Sequence, residues 1–151
     1  MKILLVEDEL HKREELTECI DEFFAGQAQI VHVESVHAAY WEVSTTAYDL
    51  ILLDMALPTL SSGEDIAGRG HDQALGGVEV LRTLKAQKSQ AKVIIITQYP
   101  DIIVGGKRLK LNDASKILSS RYGQQVVGAV LYKYKSPSNK IKITDLLRKA
   151  S

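Results

Sequence analysis

Cysteine is almost absent from this sequence: Cys19 is the only one. It has no partner for a disulfide and no companion thiol for a zinc site, and its place among apolar positions of a predicted helix reads as a buried spectator thiol. His11, His32, His37 and His71 show no metal-ligand spacing either and read as surface or partly buried residues. Long hydrophobic runs are missing too. The apolar stretches LLV, LILL and VIII fall far short of the roughly 20 residues a membrane span needs, and no signal-peptide layout precedes the run that begins at Lys2. A cytoplasmic location with no membrane contact is expected. Neither sign of charge is in excess, since 19 Lys and Arg offset 19 Asp and Glu. The chain as a whole therefore offers no field that would gather nucleic acid, and direct nucleic-acid binding is not expected. Repeats, low-complexity tracts and Pro/Ser-rich linkers are also lacking, and 151 residues suit one compact domain spanning 1–151.

What the sequence does contain is a regular alternation. Short β-rich runs at Lys2–Val6, 29–34, 49–53, Lys92–Thr97 and 126–133 are separated by helix-length segments. The runs are continuously apolar rather than alternating, as in strands covered by helices on both faces, which argues for a parallel sheet. Leu10, Leu16, Thr17, Ile20, Phe23 and Phe24 mark a first amphipathic helix that Gly26 closes. Val36, Tyr40 and Val43 mark a second, and Val78, Val80, Leu81 and Leu84 a third after Gly76 and Gly77. A shorter helix is expected near 112–122, and a last one from about Ser138 through Ile141, Leu146 and Leu147. Trp41, Tyr40 and Tyr48 read as helix packing. The predicted fold is α/β, a flavodoxin-like (βα)5 open parallel sheet of order 2-1-3-4-5 with helices on both faces and a ligand site beyond the strands' carboxyl ends.

At those ends the sequence places reactive groups: Glu7 and Asp8 after the first strand, Asp54 after the third, Thr97 at the fourth, and Lys133 and Lys135 near the fifth. Carboxylates gathered at one sheet edge repel one another and take raised pKa values unless a cation offsets them. An all-oxygen set of carboxylates, a backbone carbonyl and water suits Mg2+. Asp54 could then act as a nucleophile on phosphorus while the metal, a lysine and a hydroxyl screen the transferred group.

The segments VEDE, LILLDMALP, VIIITQ and GAVLYKYK together resemble the receiver domain of two-component response regulators over nearly the whole chain. The resemblance implies a phosphoprotein that acts in signal transduction, taking a phosphoryl group onto Asp54 from a histidine kinase or histidine phosphotransfer protein. It implies Mg2+ bound by Glu7, Asp8, Asp54 and the backbone carbonyl of Met55, and a switch hydroxyl at Thr97. The spacing Gly128, Ala129, Tyr132, Lys135 favours Lys135 over Lys133 as the active-site lysine and makes Tyr132 the switch aromatic. Such a domain is no enzyme beyond its own phosphotransfer and dephosphorylation. It signals to a downstream protein, and a phosphorylation-dependent homodimer is a further assembly of this kind.

The sequence also departs from that pattern. An insertion over 59–76 follows the phosphoacceptor, and an extended loop over 98–111 follows the fourth strand, with Lys107, Arg108 and Lys110 forming a small basic cluster. Gln98 stands where receivers usually carry a small residue, which implies restricted access to the phosphoryl site and slower exchange. Ser136 separates Lys135 from Pro137, where the family has a Lys-Pro step. The chain ends at LLRKAS, where the last helix is expected to stop, so no output domain is expected to follow. Two other readings compete. A phosphohydrolase of the haloacid-dehalogenase kind would need a second Asp where Ala56 stands. A receiver-like interaction module working without phosphorylation would leave the acid, Thr and Lys set without a task.

Overall fold

A computed structural model describes residues 1–57 and 76–151. Five strands, β1 (Lys2–Val6), β2 (Gln29–Val33), β3 (Leu50–Leu53), β4 (Lys92–Thr97) and β7 (Gln125–Leu131), form one parallel sheet in the order β2-β1-β3-β4-β7. Counted within that sheet alone, this is the expected 2-1-3-4-5 arrangement. Successive residues of a strand face opposite sides. Accordingly Ile3 and Leu5 join Leu16 and Ile20 of α1 (Leu10–Phe23) and Ile143 and Leu147 of α5 (Ser138–Ala150) in one core layer. Leu4, Val6, Ile51 and Leu53 join Leu81 and Leu84 of α3 (Gly76–Ala86) and Ala114 and Leu118 of α4 (Leu111–Tyr122) in the other, with α2 (Val36–Thr45) packed on the same side.

Local chemistry sets several boundaries. The chain leaves α1 through the left-handed conformation at both Ala25 and Gly26, and Gly26 N–H reaches the Asp21 carbonyl at 2.8 Å. The glycine therefore serves the helix end together with an alanine that precedes it. Strand β7 stops at Leu131, short of the expected 133. Buried Asn139, in the first turn of α5, occupies both backbone groups of Lys133: its Oδ1 accepts Lys133 N–H at 3.0 Å and its Nδ2 donates to the Lys133 carbonyl at 2.7 Å.

The segment over 98–111 is not an extended loop. It carries the antiparallel hairpin of β5 (Asp101–Val104) and β6 (Lys107–Lys110), turned by Gly105 and Gly106, both with positive φ as a two-residue hairpin turn requires. Of the insertion expected at 59–76, only Gly76 lies within the described residues, where it begins α3.

Some expected packing is also redistributed. Tyr48 is buried, but Tyr40 and Trp41 are exposed and pair edge to face with each other, because the buried face of α2 runs through Ala39 and Val43. Leu10 and Ile141 likewise face solvent. Cys19 is buried, and burial pushes its thiol up to about 11, in keeping with an inert side chain.

Helix α3 begins hard against the loop after β3. Gly77 N–H donates to the Met55 carbonyl at 3.0 Å, and a Cβ on Gly77 would lie 2.7 Å from Met55 Cα and 2.9 Å from the Asp54 carbonyl oxygen. Both obstacles are backbone and cannot rotate away. Gly77→Ala is expected to destabilise the fold by about 1–3 kcal/mol, the range for overpacking, measured by urea denaturation; an unchanged midpoint would contradict this packing.

Candidate functional site

The parallel sheet delivers its chemistry to one edge. Glu7 follows β1 with its N–H on the Val33 carbonyl at 3.0 Å, and Asp54 follows β3 with its N–H on the Val6 carbonyl at 3.1 Å. Those ladder bonds hold the two side chains on neighbouring strand ends. Glu7, Asp8 and Asp54 each offer a carboxylate oxygen within 4.8 Å of the others. Glu7 and Asp54 are buried and Asp8 is exposed. Such a set of hard oxygen donors, open to solvent on the Asp8 side, fits a divalent cation of the Mg2+ type.

A lysine that the sequence reading did not single out completes the centre. Lys12 lies in the first turn of α1 and is 0% exposed. Its Nζ stands 2.6 Å from Glu7 Oε1 and 3.3 Å from Asp54 Oδ2, and donates to the Ile96 carbonyl on β4 at 3.1 Å. The ammonium also lies 5.7 Å from the centroid of the Tyr132 ring. The remaining carboxylate oxygens have partners as well: Asp54 Oδ1 accepts Ala56 N–H at 3.0 Å and Glu7 Oε2 accepts Glu9 N–H at 3.1 Å. His32 fixes the neighbouring backbone by bonding the Glu7 carbonyl at 2.9 Å.

The other predicted residues are distributed unevenly. Thr97 is fully buried at the end of β4, and its Oγ1 accepts Tyr99 N–H at 3.3 Å. With Met55, Ala56, Ile102 and Arg108 it lines a cavity of about 270 Å³ beside the β5–β6 hairpin. Tyr132 donates its backbone N–H to the Thr97 carbonyl at 2.7 Å, but its ring belongs to the core layer of α1 and α5, and its hydroxyl donates to Glu15 Oε1 at 2.7 Å. Strand alternation thus puts the Tyr132 ring and the Thr97 cavity on opposite faces of the sheet. Gln98 reaches across the site to Glu9, Nε2 to Oε2 at 3.3 Å. Met55 offers its carbonyl at the loop after β3, where Gly77 N–H takes one lone pair. Lys133 and Lys135 are exposed, and Lys135 has a left-handed backbone with its ammonium 5.3 Å from the Tyr134 ring centroid. The structure does not bring Lys135 to Asp54, because the chain turns away from the sheet once Asn139 has taken up the Lys133 backbone.

The electrostatics follow from crowding. Burial, then the facing Asp54 carboxylate, push Glu7 up to about 8, with Lys12 pulling only partly the other way. Burial raises Asp54 and Asp8 above the usual carboxylate range. Lys12 is raised despite its burial, since Asp54 and Glu7 both favour the ammonium. A carboxyl with a raised folded value keeps a proton that the unfolded chain has released, so the stability this lends is lost as pH rises through the folded value. His32, lowered from 6.5 by burial, acts below that pH, and Lys12 acts above 10.5. In the presence of a chelator the melting temperature is therefore expected to fall from about pH 6.5 to about pH 8.5. Glu7→Gln should flatten that slope; an equally steep variant would remove Glu7 as its source.

Residues 3–126 match the response regulator receiver domain family. The chain is 32% identical over 153 aligned positions to the Detocs response regulatory protein DtcB of Enterobacter cloacae (strain JD6301), covering 99% of this chain and 97% of that protein. It is 29% identical over 133 positions to the protein of the same name from Vibrio alginolyticus, covering 86% and 87% respectively. Among solved structures, the response regulatory domain of protein mrkE from Klebsiella pneumoniae shares the fold at TM-score 0.66 and 18% identity, covering 99% of this chain and 94% of that one. The response regulator protein TrrA from Thermotoga maritima, solved in complex with Mg(2+)-BeF, does so at TM-score 0.56 and 23% identity, covering 96% and 97%. With the family matched over residues 3–126 of a chain that has this sheet order and acidic edge, the chain belongs to the response regulator receiver family.

Proposed function

We propose that this receiver accepts a phosphoryl group from a phosphohistidine onto Asp54, with Mg2+ held by Glu7, Asp8, Asp54 and the Met55 carbonyl, and that the modified site alters a partner-binding surface. The observation that carries the reading is the convergence of the Glu7, Asp8 and Asp54 carboxylates within 4.8 Å at the carboxyl edge of the sheet. In the transfer, an Asp54 carboxylate oxygen forms the new O–P bond as the P–N bond of the donor breaks, and the leaving imidazole nitrogen keeps the electron pair. Bound Mg2+ would screen the charge on the phosphoryl oxygens. The chain's own groups position the reaction. The Ala56 N–H orients the Asp54 carboxylate, and Thr97, whose oxygen accepts from Tyr99, keeps its own hydroxyl proton to donate to a phosphoryl oxygen.

Movement of Thr97 toward that oxygen would alter the wall of the 270 Å³ cavity and so the seating of the β5–β6 hairpin. That face, with its Lys107, Arg108 and Lys110, is where we place contact with the downstream protein. Donors of the histidine kinase or histidine phosphotransfer class supply the phosphoryl group. The Gln98 side chain, drawn across to Glu9, is placed to restrict the approach of water to the acyl phosphate.

Incubation with acetyl phosphate and Mg2+ should add one phosphoryl mass to the intact protein, labile to hydroxylamine and absent from Asp54→Asn and from a chelator control. A protein that stays unmodified with acetyl phosphate and with a histidine kinase would instead favour binding without phosphorylation. Once loaded, Gln98→Ala should lose its phosphoryl group several-fold faster than the wild type; equal rates would exclude Gln98 as a barrier.

A further inference from the structure

We infer that Lys12, delivered by helix α1, is the lysine that contacts the phosphoryl group on Asp54, in place of any lysine following the last strand of the sheet. The inference rests on the reading of Asp54 as phosphoacceptor and adds a catalytic residue to it.

Three observations combine. First, Lys12 touches the reacting group: its Nζ is 3.3 Å from Asp54 Oδ2 and 0% exposed. Second, its ammonium donates to the Ile96 carbonyl and forms ion pairs with Glu7 Oε1 and Asp54 Oδ2, three groups on the ends of three adjacent strands. The nitrogen is therefore aimed rather than merely accommodated. Third, the side chain that follows β7 on the Lys12 side of the sheet is the Tyr132 ring, 5.7 Å from the ammonium, and not a lysine. Lys133 and Lys135, the next residues able to serve, are both exposed.

A scaffold role alone gives a weaker account. Breaking even against desolvation is the usual fate of a buried ion pair, and a fully apolar set of similar volume would hold the same elements together without charges to desolvate. A phosphoryl group adds about two negative charges at this point, and a preformed, water-excluded cation is worth most where charge arrives. No proton leaves Lys12 in the step. As Asp54 becomes esterified, the N–H that pointed at its carboxylate turns to a phosphoryl oxygen, while the contacts to Glu7 and Ile96 stay.

The test compares the rate of acyl phosphate formation from acetyl phosphate and Mg2+, by intact mass, in wild type, Lys12→Met, Lys12→Arg and the double variant Lys133→Ala/Lys135→Ala. Circular dichroism reports the fold, and calorimetric Mg2+ titration reports the metal site. Lys12→Met should slow phosphorylation about a hundredfold while binding Mg2+ at least as tightly, since it loses a competing positive charge. Lys12→Arg should recover part of the rate. The double variant, altered only at exposed positions, should react like the wild type. Wild-type rates in Lys12→Met, or loss of phosphorylation in the double variant, would overturn the inference. Should Lys12→Met not fold, the double variant and Lys12→Arg decide it by the same criteria. A wild type that takes no phosphoryl group at all would instead overturn the phosphoacceptor reading itself, and that is seen before any variant is compared.

Discussion

The buried contact of the Lys12 ammonium with Glu7 and Asp54 is the interaction on which the functional edge of this protein depends. Parallel pairing of β1 with β3 forces Glu7 and Asp54 onto neighbouring strand ends, and the turn after β1 adds Asp8. Three carboxylates so close, two of them buried, repel one another strongly in a medium of low polarity. One ammonium lessens that repulsion and, through the Ile96 carbonyl, ties helix α1 to the middle of the sheet. The same contact orients the Asp54 side chain, because Lys12 holds one of its oxygens and the Ala56 N–H the other.

A fixed cation leaves the cluster short of neutrality, and that shortfall suits a receiver. Exposed Asp8 gives the edge a solvent-facing donor, so an exchangeable divalent ion can complete the balance that Lys12 begins. On the proposed reading, charge delivered to Asp54 meets a cation on each side. Its effect travels along β4, whose last residues supply both the Ile96 carbonyl bonded to Lys12 and the Thr97 hydroxyl facing the hairpin cavity. The hairpin is the natural element to register a change there, since Ile102 lines the cavity and, with Val104, packs into the core layer on that face.

The architecture was legible because strands buried on both faces read as unbroken apolar runs, and Glu7, Asp8 and Asp54 were legible because each stands where such a run stops. Lys12 was not. In LHKREELTEC it looks like one charge among many on a polar helix. A signal was nevertheless present: Leu16, Cys19 and Ile20 lie four, seven and eight positions beyond it, the spacing of a buried helical face. A lysine heading that series must bury its charge against a partner. The hairpin had a signal as well, in Gly105-Gly106 between IIV and KRLK, but the length of the segment suggested a loop. The spacing Gly128, Ala129, Tyr132, Lys135 points to Lys135 from resemblance alone, on a strand expected to reach 133. The side chain that ends the strand earlier, Asn139, comes from the following helix and is a tertiary contact that no local pattern encodes.

The proposed chemistry of this edge turns on which residue carries the phosphoryl group. Borohydride reduction of the phosphorylated wild-type protein, followed by peptide mass spectrometry, converts an aspartyl phosphate to homoserine and so marks the modified residue. Homoserine at position 54 alone is the predicted result. A phosphorylated protein marked at another residue, or one whose label resists reduction because it is not an acyl phosphate, would contradict the assignment of Asp54 as the group around which this site is built.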